Sequence, residues 1–355
     1  MDRRISLWLH QHGGHERRFA DAVAGFFDRQ LNRFLAALGQ FSSPTPALVP
    51  HLFHIDEESR AFMRTVRPFW ISAALIGAES EMELLREATG EKAARRRNPL
   101  PRPTMHRKLP PIVVDAIDDF WEDTERQSYW RDIQEGTSKN LTKVIMRSVV
   151  AGDDPRKMAK KIREALGGDF SKVRAAAIAR TETTGAMNSG HQAQISQVAE
   201  SGAIKGKTWK TMQDPNVRLT HKIMHNKTVK PDARFLVGGN GRDRGWPALF
   251  PGDWWLPPEE RVNCRCTVIA VTIFDEIPRW RPSPALLAEN EERLADMGLA
   301  ALCPVHGKGF QASPVRLVSP GTQALDDQTD ELGIPFFLPH NQRDWRERAI
   351  RPATE

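Results

Sequence analysis

Apolar residues recur at three- and four-residue spacing over 16 to 38. There Phe19, Val23, Phe26, Phe27, Leu31, Phe34, Leu35 and Leu38 share one face of a helix that Gly39 ends. Three prolines in FSSPTPALVP, 41 to 50, interrupt the pattern. Helical spacing resumes over 57 to 89 with Pro68 in the middle, which predicts a break or kink there. From 112 onward the spacing predicts four helices. They run over 112 to 134, over 137 to 151, from an Asp154 cap with Pro155 in the first turn to Gly167-Gly168, and over 171 to 200. The last has Val173, Ala176, Ala177, Ile178, Met187, Ile195 and Val198 as its apolar set, mostly small, so neighbours can approach it closely.

After Gly202 the period shortens to two. KGKTWKTM alternates as a strand, and CTVIAVTIF is a β-branched run of the kind found in a buried strand. Between them, 226 to 262 is a long loop, more consistent with function or ordering by a partner than with an idle connection. The fold class is therefore α+β: a helical N-terminal half, then a helix-plus-small-sheet C-terminal domain with a long Gly/Pro/Trp-rich loop. The expected divisions are an N-terminal helical region at 1 to 90, a basic Pro-rich linker at 91 to 111, the C-terminal domain at 112 to 277 and a Pro-rich arm at 278 to 355. The arm holds one helix, 284 to 299.

Composition narrows the function classes. A chain of 355 residues can bury a core without disulfides, and three cysteines with no secretion signal suit a reducing compartment. No apolar run approaches the roughly 20 residues that span a bilayer, so no membrane partner is expected. The net charge of +6 comes from 51 basic against 45 acidic residues, a surplus too small to establish DNA binding by itself. Ten Trp stand beside a single Tyr, which suits either a docking surface or a Trp-rich core.

The polar residues with chemical potential fall in an ordered series. Arg180, Glu182 and Asn188 lie on the long helix, Trp209 and Asp214 on a strand and turn, and Arg218 and His221 just beyond. Asp253 follows in PGD, then Asn263, Cys264, Arg265 and Cys266 in NCRC. The series IARTET, N, G, K-x-W, D-x-x-x-R-x-x-H, F, G, PGD and NCRC, over about 155 to 273, resembles the phage Mu F-like minor head proteins, the head-morphogenesis domain of tailed bacteriophages. The resemblance implies a protein of the virion head or procapsid, made in the host cytoplasm and present in few copies. It also implies association with the portal protein and other head proteins, a role in DNA packaging or ejection, and no established catalysis. The chain departs from the family pattern at His225-Asn226 and in a longer LVGGNGRDRGW loop, 236 to 246.

Three chemical readings of these residues stay open. His221, Cys264 and Cys266 offer zinc-type ligands, with His225 or Asp214 to complete four; against this, C-x-C residues on a regular strand point to opposite faces, and the thiols could simply pack. Arg180, Glu182, Asp214, Arg218 and His221 could line a cleft for phosphodiester chemistry, as in a nuclease or nucleotide-transferring toxin delivered with the genome. The same charges could instead form a buried ion-pair network pinning the long helix to the sheet. Gly238-Gly239-Asn240-Gly241 is a weak phosphate cradle, and Cys303-Pro-Val-His306 offers two ligands at most. On the structural reading, Trp246, Trp254 and Trp255 are docking residues and the basic residues face packaged double-stranded DNA.

Overall fold

A computed structural model describes residues 3–94, 111–122, 124–241 and 245–296. The elements run α1 (Arg3–Leu38), a 3-10 turn (Pro46–Leu48), α2 (Val49–Leu52), α3 (Ile55–Ala94), α4 (Pro111–Glu122), α5 (Thr124–Val150), α6 (Pro155–Leu166) and α7 (Gly168–Ala199). They continue with β1 (Ile204–Lys210), α8 (Leu219–Met224), β2 (Thr228–Val229), β3 (Phe235–Val237), β4 (Trp246–Ala248), α9 (Pro258–Arg261), β5 (Thr267–Thr272) and α10 (Pro284–Asp296). The fold is α+β, as the periodicities predict. Of the linker expected at 91 to 111, the first four residues belong to α3 and the last opens α4; the rest of it and most of the expected arm, including Cys303 and His306, lie outside the described residues.

Three helices differ from expectation for identifiable reasons. The first begins at Arg3 rather than near 16, because its inward positions there are Trp8, His12 and His15, polar or aromatic residues around a Gly13-Gly14 pair. α3 runs unbroken through Pro68, which sits on the exposed face, so the carbonyl that loses its partner can meet water. On the buried face Phe62, Val66, Trp70, Ala73 and Ala74 hold the helix to its neighbours. The 112 to 134 segment is two helices, since α4 ends at Glu122 and α5 continues from Thr124 to Val150 through the expected gap at 135 to 136. α6 follows its signals: Asp154 accepts a hydrogen bond from the Lys157 N–H at 2.9 Å, with Pro155 at the first helical position.

α7 is the axis of the molecule. Residues 181–192 are buried without interruption, with α1 and α3 on one side and the sheet on the other. Its small residues set the separations. A Cβ on Gly190 would lie 1.9 Å from the Ala74 carbonyl oxygen, and one on Gly77 would lie 2.1 Å from that of Met187, so α3 and α7 touch backbone to backbone. At the N-terminal end of α7, Val173 is 47% exposed and Arg174 is buried in its place, over the Phe27 ring and bonded to Thr137 and the Ile133 carbonyl. A second core joins α1, α5 and α6 through Phe34, Leu38, Leu141, Ile145, Met158 and Ile162.

The sheet is antiparallel in the order β2-β1-β5, with Trp209 opposite Val268 and Lys207 opposite Ala270. β5, the run expected to be a buried strand, lies at the edge of the sheet. Its side chains are all buried because α7 lies across it. The long loop is largely built: β3 and β4 form a hairpin with Phe235 opposite Ala248, and α9 closes it before NCRC.

Candidate functional site

An edge strand presents alternate N–H and C=O groups away from its sheet, and these need partners when buried. Helix side chains provide them along β5. Asn188 on α7 donates from Nδ2 to the carbonyls of Pro251 and Cys266, both at 2.9 Å; its Oδ1 accepts from the Val268 N–H at 3.0 Å and the Thr267 hydroxyl at 3.1 Å. All four hydrogen-bonding positions of the amide are used. His191 Nδ1 donates to the Val268 carbonyl at 3.1 Å, and Glu81 on α3 accepts from the Ala270 N–H at 3.2 Å. Arg4 and Trp8 on α1 reach the carbonyls of Ala270 and Arg265 at 2.9 and 3.3 Å. The edge is thus closed by residues from three helices that lie far apart in sequence.

The turn before β5 is held in the same way. Asn263 adopts φ +59, and its N–H bonds to Thr181 Oγ1 at 2.9 Å. Thr184 donates to the Cys264 carbonyl at 2.5 Å and accepts from His12 Nε2 at 2.8 Å. Arg180 pairs with Glu16 at 2.9 Å and touches Asn263 Oδ1 at 3.4 Å. Glu182 is buried on α7. Asp253 accepts from the N–H groups of Leu249 and Trp255 at 2.6 and 3.2 Å, while burial pushes its carboxyl above the usual range. Gly252 beside it has φ +77 and lies so close to Gly185 that a Cβ would come within 3.1 Å of the Gly185 Cα.

A different cluster forms where α8 and α9 meet the start of β5. His221 Nδ1 lies 3.5 Å from Cys264 Sγ and 3.4 Å from Cys266 Sγ, and both thiols are free and buried. On the other side of the ring, Nε2 faces Glu260 Oε2 at 3.3 Å, and the Thr220 hydroxyl bonds to that same oxygen at 2.6 Å. Trp209 stands edge-on to the imidazole at a centroid distance of 5.2 Å. The objection from strand geometry does not apply: Cys264 precedes β5, and the left-handed Asn263 turns the chain so that both sulfurs face one ring. Burial opposes every charge here. Even so, the neighbouring Cys266 and His221 hold the Cys264 thiol well below its ordinary range, and Cys264 and Glu260 raise His221. Burial and Cys264 push the Cys266 thiol well above its range, and contact with His221 lowers Glu260 against its own burial.

Two ligands considered from the sequence lie elsewhere. His225 Nδ1 bonds the Thr211 N–H and hydroxyl at 3.2 and 2.9 Å, and Asp214 pairs with Arg265 at 2.6 Å. Arg218 donates to the Val262 carbonyl. Arg180 and His221 therefore work with different partners. The glycine-rich loop is no cradle either, since Gly238 lies under the Trp246 ring and Gly241 beneath Trp280.

Residues 139–269 match the family model for Phage Mu protein F like protein. This segment of the chain is a phage Mu F-like domain. That match places it among phage head-morphogenesis proteins. No curated protein and no solved structure shows significant similarity to the chain. The Mu F-like segment spans α7, β1 to β4, the first half of β5 and the residues around Asn188 and His221. The residues that hold its edge strand from outside, Arg4, Trp8, His12 and Glu81, precede the matched region and carry no motif. Glu260 was equally silent, since a glutamate in PPEERV reads as ordinary helix-start acidity.

Proposed function

We propose that this Mu F-like protein is a minor component of the phage head that docks on the portal and neighbouring head proteins and acts in DNA packaging or ejection. The family match carries the reading. The geometry supports a scaffold over an enzyme: Asn188, Thr184, Asn263 and Asp253 are engaged with backbone groups, and His221 is 1% exposed. A catalytic base needs access to its substrate, and the buried His221 ring instead faces Cys264, Cys266, Glu260 and Trp209. On this reading α1 and α3 belong to one folded module with the unit at 112 to 277, because they share its core and close the edge of β5.

Docking has a candidate face within the matched region. On the last turns of α5, Met146, Val149 and Val150 are 53%, 45% and 84% exposed at i, i+3 and i+4 spacing. Trp246, by contrast, is buried, and Trp254 packs on Tyr129 and Arg261, leaving only Trp255 of the three well exposed. Basic residues would face the DNA.

The test is quantitative composition of purified procapsids and heads, together with capture by immobilised portal protein. The chain is expected at low copy number in both particles, and Val150→Lys should weaken portal capture without changing the fold. Absence from both particles would refute the assignment.

A further inference from the structure

The geometry points to a zinc site in which His221 Nδ1, Cys264 Sγ and Cys266 Sγ bind the ion and Glu260 orients the histidine. A tetrahedral zinc with bonds of about 2.3 Å to sulfur and about 2.0–2.1 Å to nitrogen leaves roughly 3.5–3.6 Å between a nitrogen and a sulfur ligand. The two nitrogen–sulfur separations here are 3.5 and 3.4 Å, and all three donor atoms lie within 4.8 Å of one another. Three side chains from two separate segments thus already stand at the corners of one coordination polyhedron.

The surroundings match what a bound ion requires. Metal-bound histidines commonly give their second ring N–H to a carboxylate, which fixes the tautomer; Glu260 occupies that position, buried, with Thr220 on one oxygen and Arg293 3.7 Å from the other. The Cys266 N–H points at Cys264 Sγ at 3.4 Å, a contact that favours a thiolate. Charge favours the ion as well. Two thiolates and a neutral imidazole bring two negative charges into a buried site, and a divalent cation cancels them. Soft thiolates with one imidazole select zinc over magnesium or calcium. No fourth His, Cys, Asp or Glu joins the cluster among the described residues. The ion would tie α8 to the start of β5, on the opposite flank of NCRC from the Thr181 and Thr184 contacts.

This inference does not depend on the role in the head. Its test is metal analysis of the untagged full chain, purified with reductant, reloaded with zinc or cobalt(II) and freed of excess by gel filtration. About one zinc per chain is expected, and cobalt should give thiolate charge-transfer bands with the d–d pattern of a tetrahedral ion. Cys264→Ser and Cys266→Ser, both near-isosteric, should lose the charge-transfer bands while keeping wild-type circular dichroism. Glu260→Gln should keep the cobalt spectrum and weaken zinc binding about 10–100-fold. Cys303→Ser should change nothing. The proposal fails if reloaded wild-type protein holds less than about a tenth of an equivalent, if both cysteine variants keep the metal, if Cys303→Ser removes it, or if the ion recovered is copper.

Discussion

Two buried polar clusters flank β5, and they differ in whether their atoms complete one another. Around Asn188 every donor meets an acceptor, so the cluster closes on itself and needs only the protein. Around His221 two sulfurs, an imidazole and a carboxylate converge with more lone pairs than hydrogens. The first arrangement is a structural joint. The second is the proposed zinc site, where burial penalises negative charge on the two sulfurs that a bound cation would neutralise.

The largest effect should come from changing the depth at which α7 sits, on which the self-complete cluster depends. Gly190→Ala puts a methyl 1.9 Å from the Ala74 carbonyl oxygen and 2.8 Å from the Ala78 nitrogen, both backbone atoms. The expected cost is at or above the top of the ~1–3 kcal/mol range for overpacking, read as a fall in the denaturant midpoint or as insoluble protein. A wild-type midpoint would show that α3 and α7 do not touch. Next, Asn188→Ala removes four hydrogen bonds and leaves buried backbone groups of β5 and the PGD turn without partners. It should cost on the order of 3 kcal/mol by urea titration. A cost below about 0.5 kcal/mol would erase the distinction between the clusters.

The sequence disclosed these two clusters unequally. Asn188, Asn263 and the NCRC residues stand out as a series, and the β-branched run announced β5. Its place at the edge was hidden, because CTVIAVTIF is apolar on both faces and that pattern is shared by central strands and by edges covered with a helix. The clamp from α1 and α3 was hidden for another reason: it comes from 189 to 266 residues away, where Arg4, Trp8 and Glu81 carry no local signal. Pro68 misled because its effect depends on which side of the helix it occupies. The glycine contacts of α7 were legible only as a preponderance of small residues.

Smaller effects sharpen the contrast. Burial, with Arg18 and His12 nearby, lowers the His15 pKa to about 4, so the folded protein keeps this ring neutral where the unfolded chain, near 6.5, takes a proton. Stability should be full above pH 6.5 and fall as pH drops through 6.5 toward 4, where the unfolded state binds more protons. His15→Gln should flatten that fall in a pH series of thermal melts; an identical slope would mean that His15 is not held neutral. Trp8→Phe keeps the ring contact but loses the bond to the Arg265 carbonyl. At 3.3 Å that bond should contribute no more than about 1 kcal/mol by urea titration, and a loss several times larger would mean that the indole does more than close the edge.

The central claim is that helix side chains, not solvent, complete the outer edge of β5. Residue-resolved amide hydrogen exchange on the wild-type protein measures this directly. Val268 and Ala270, whose N–H groups point to Asn188 and Glu81, should be protected as strongly as Ile269, which alternation turns toward β1. Exchange of Val268 and Ala270 at the rate of open edge amides, with Ile269 still protected, would contradict the account.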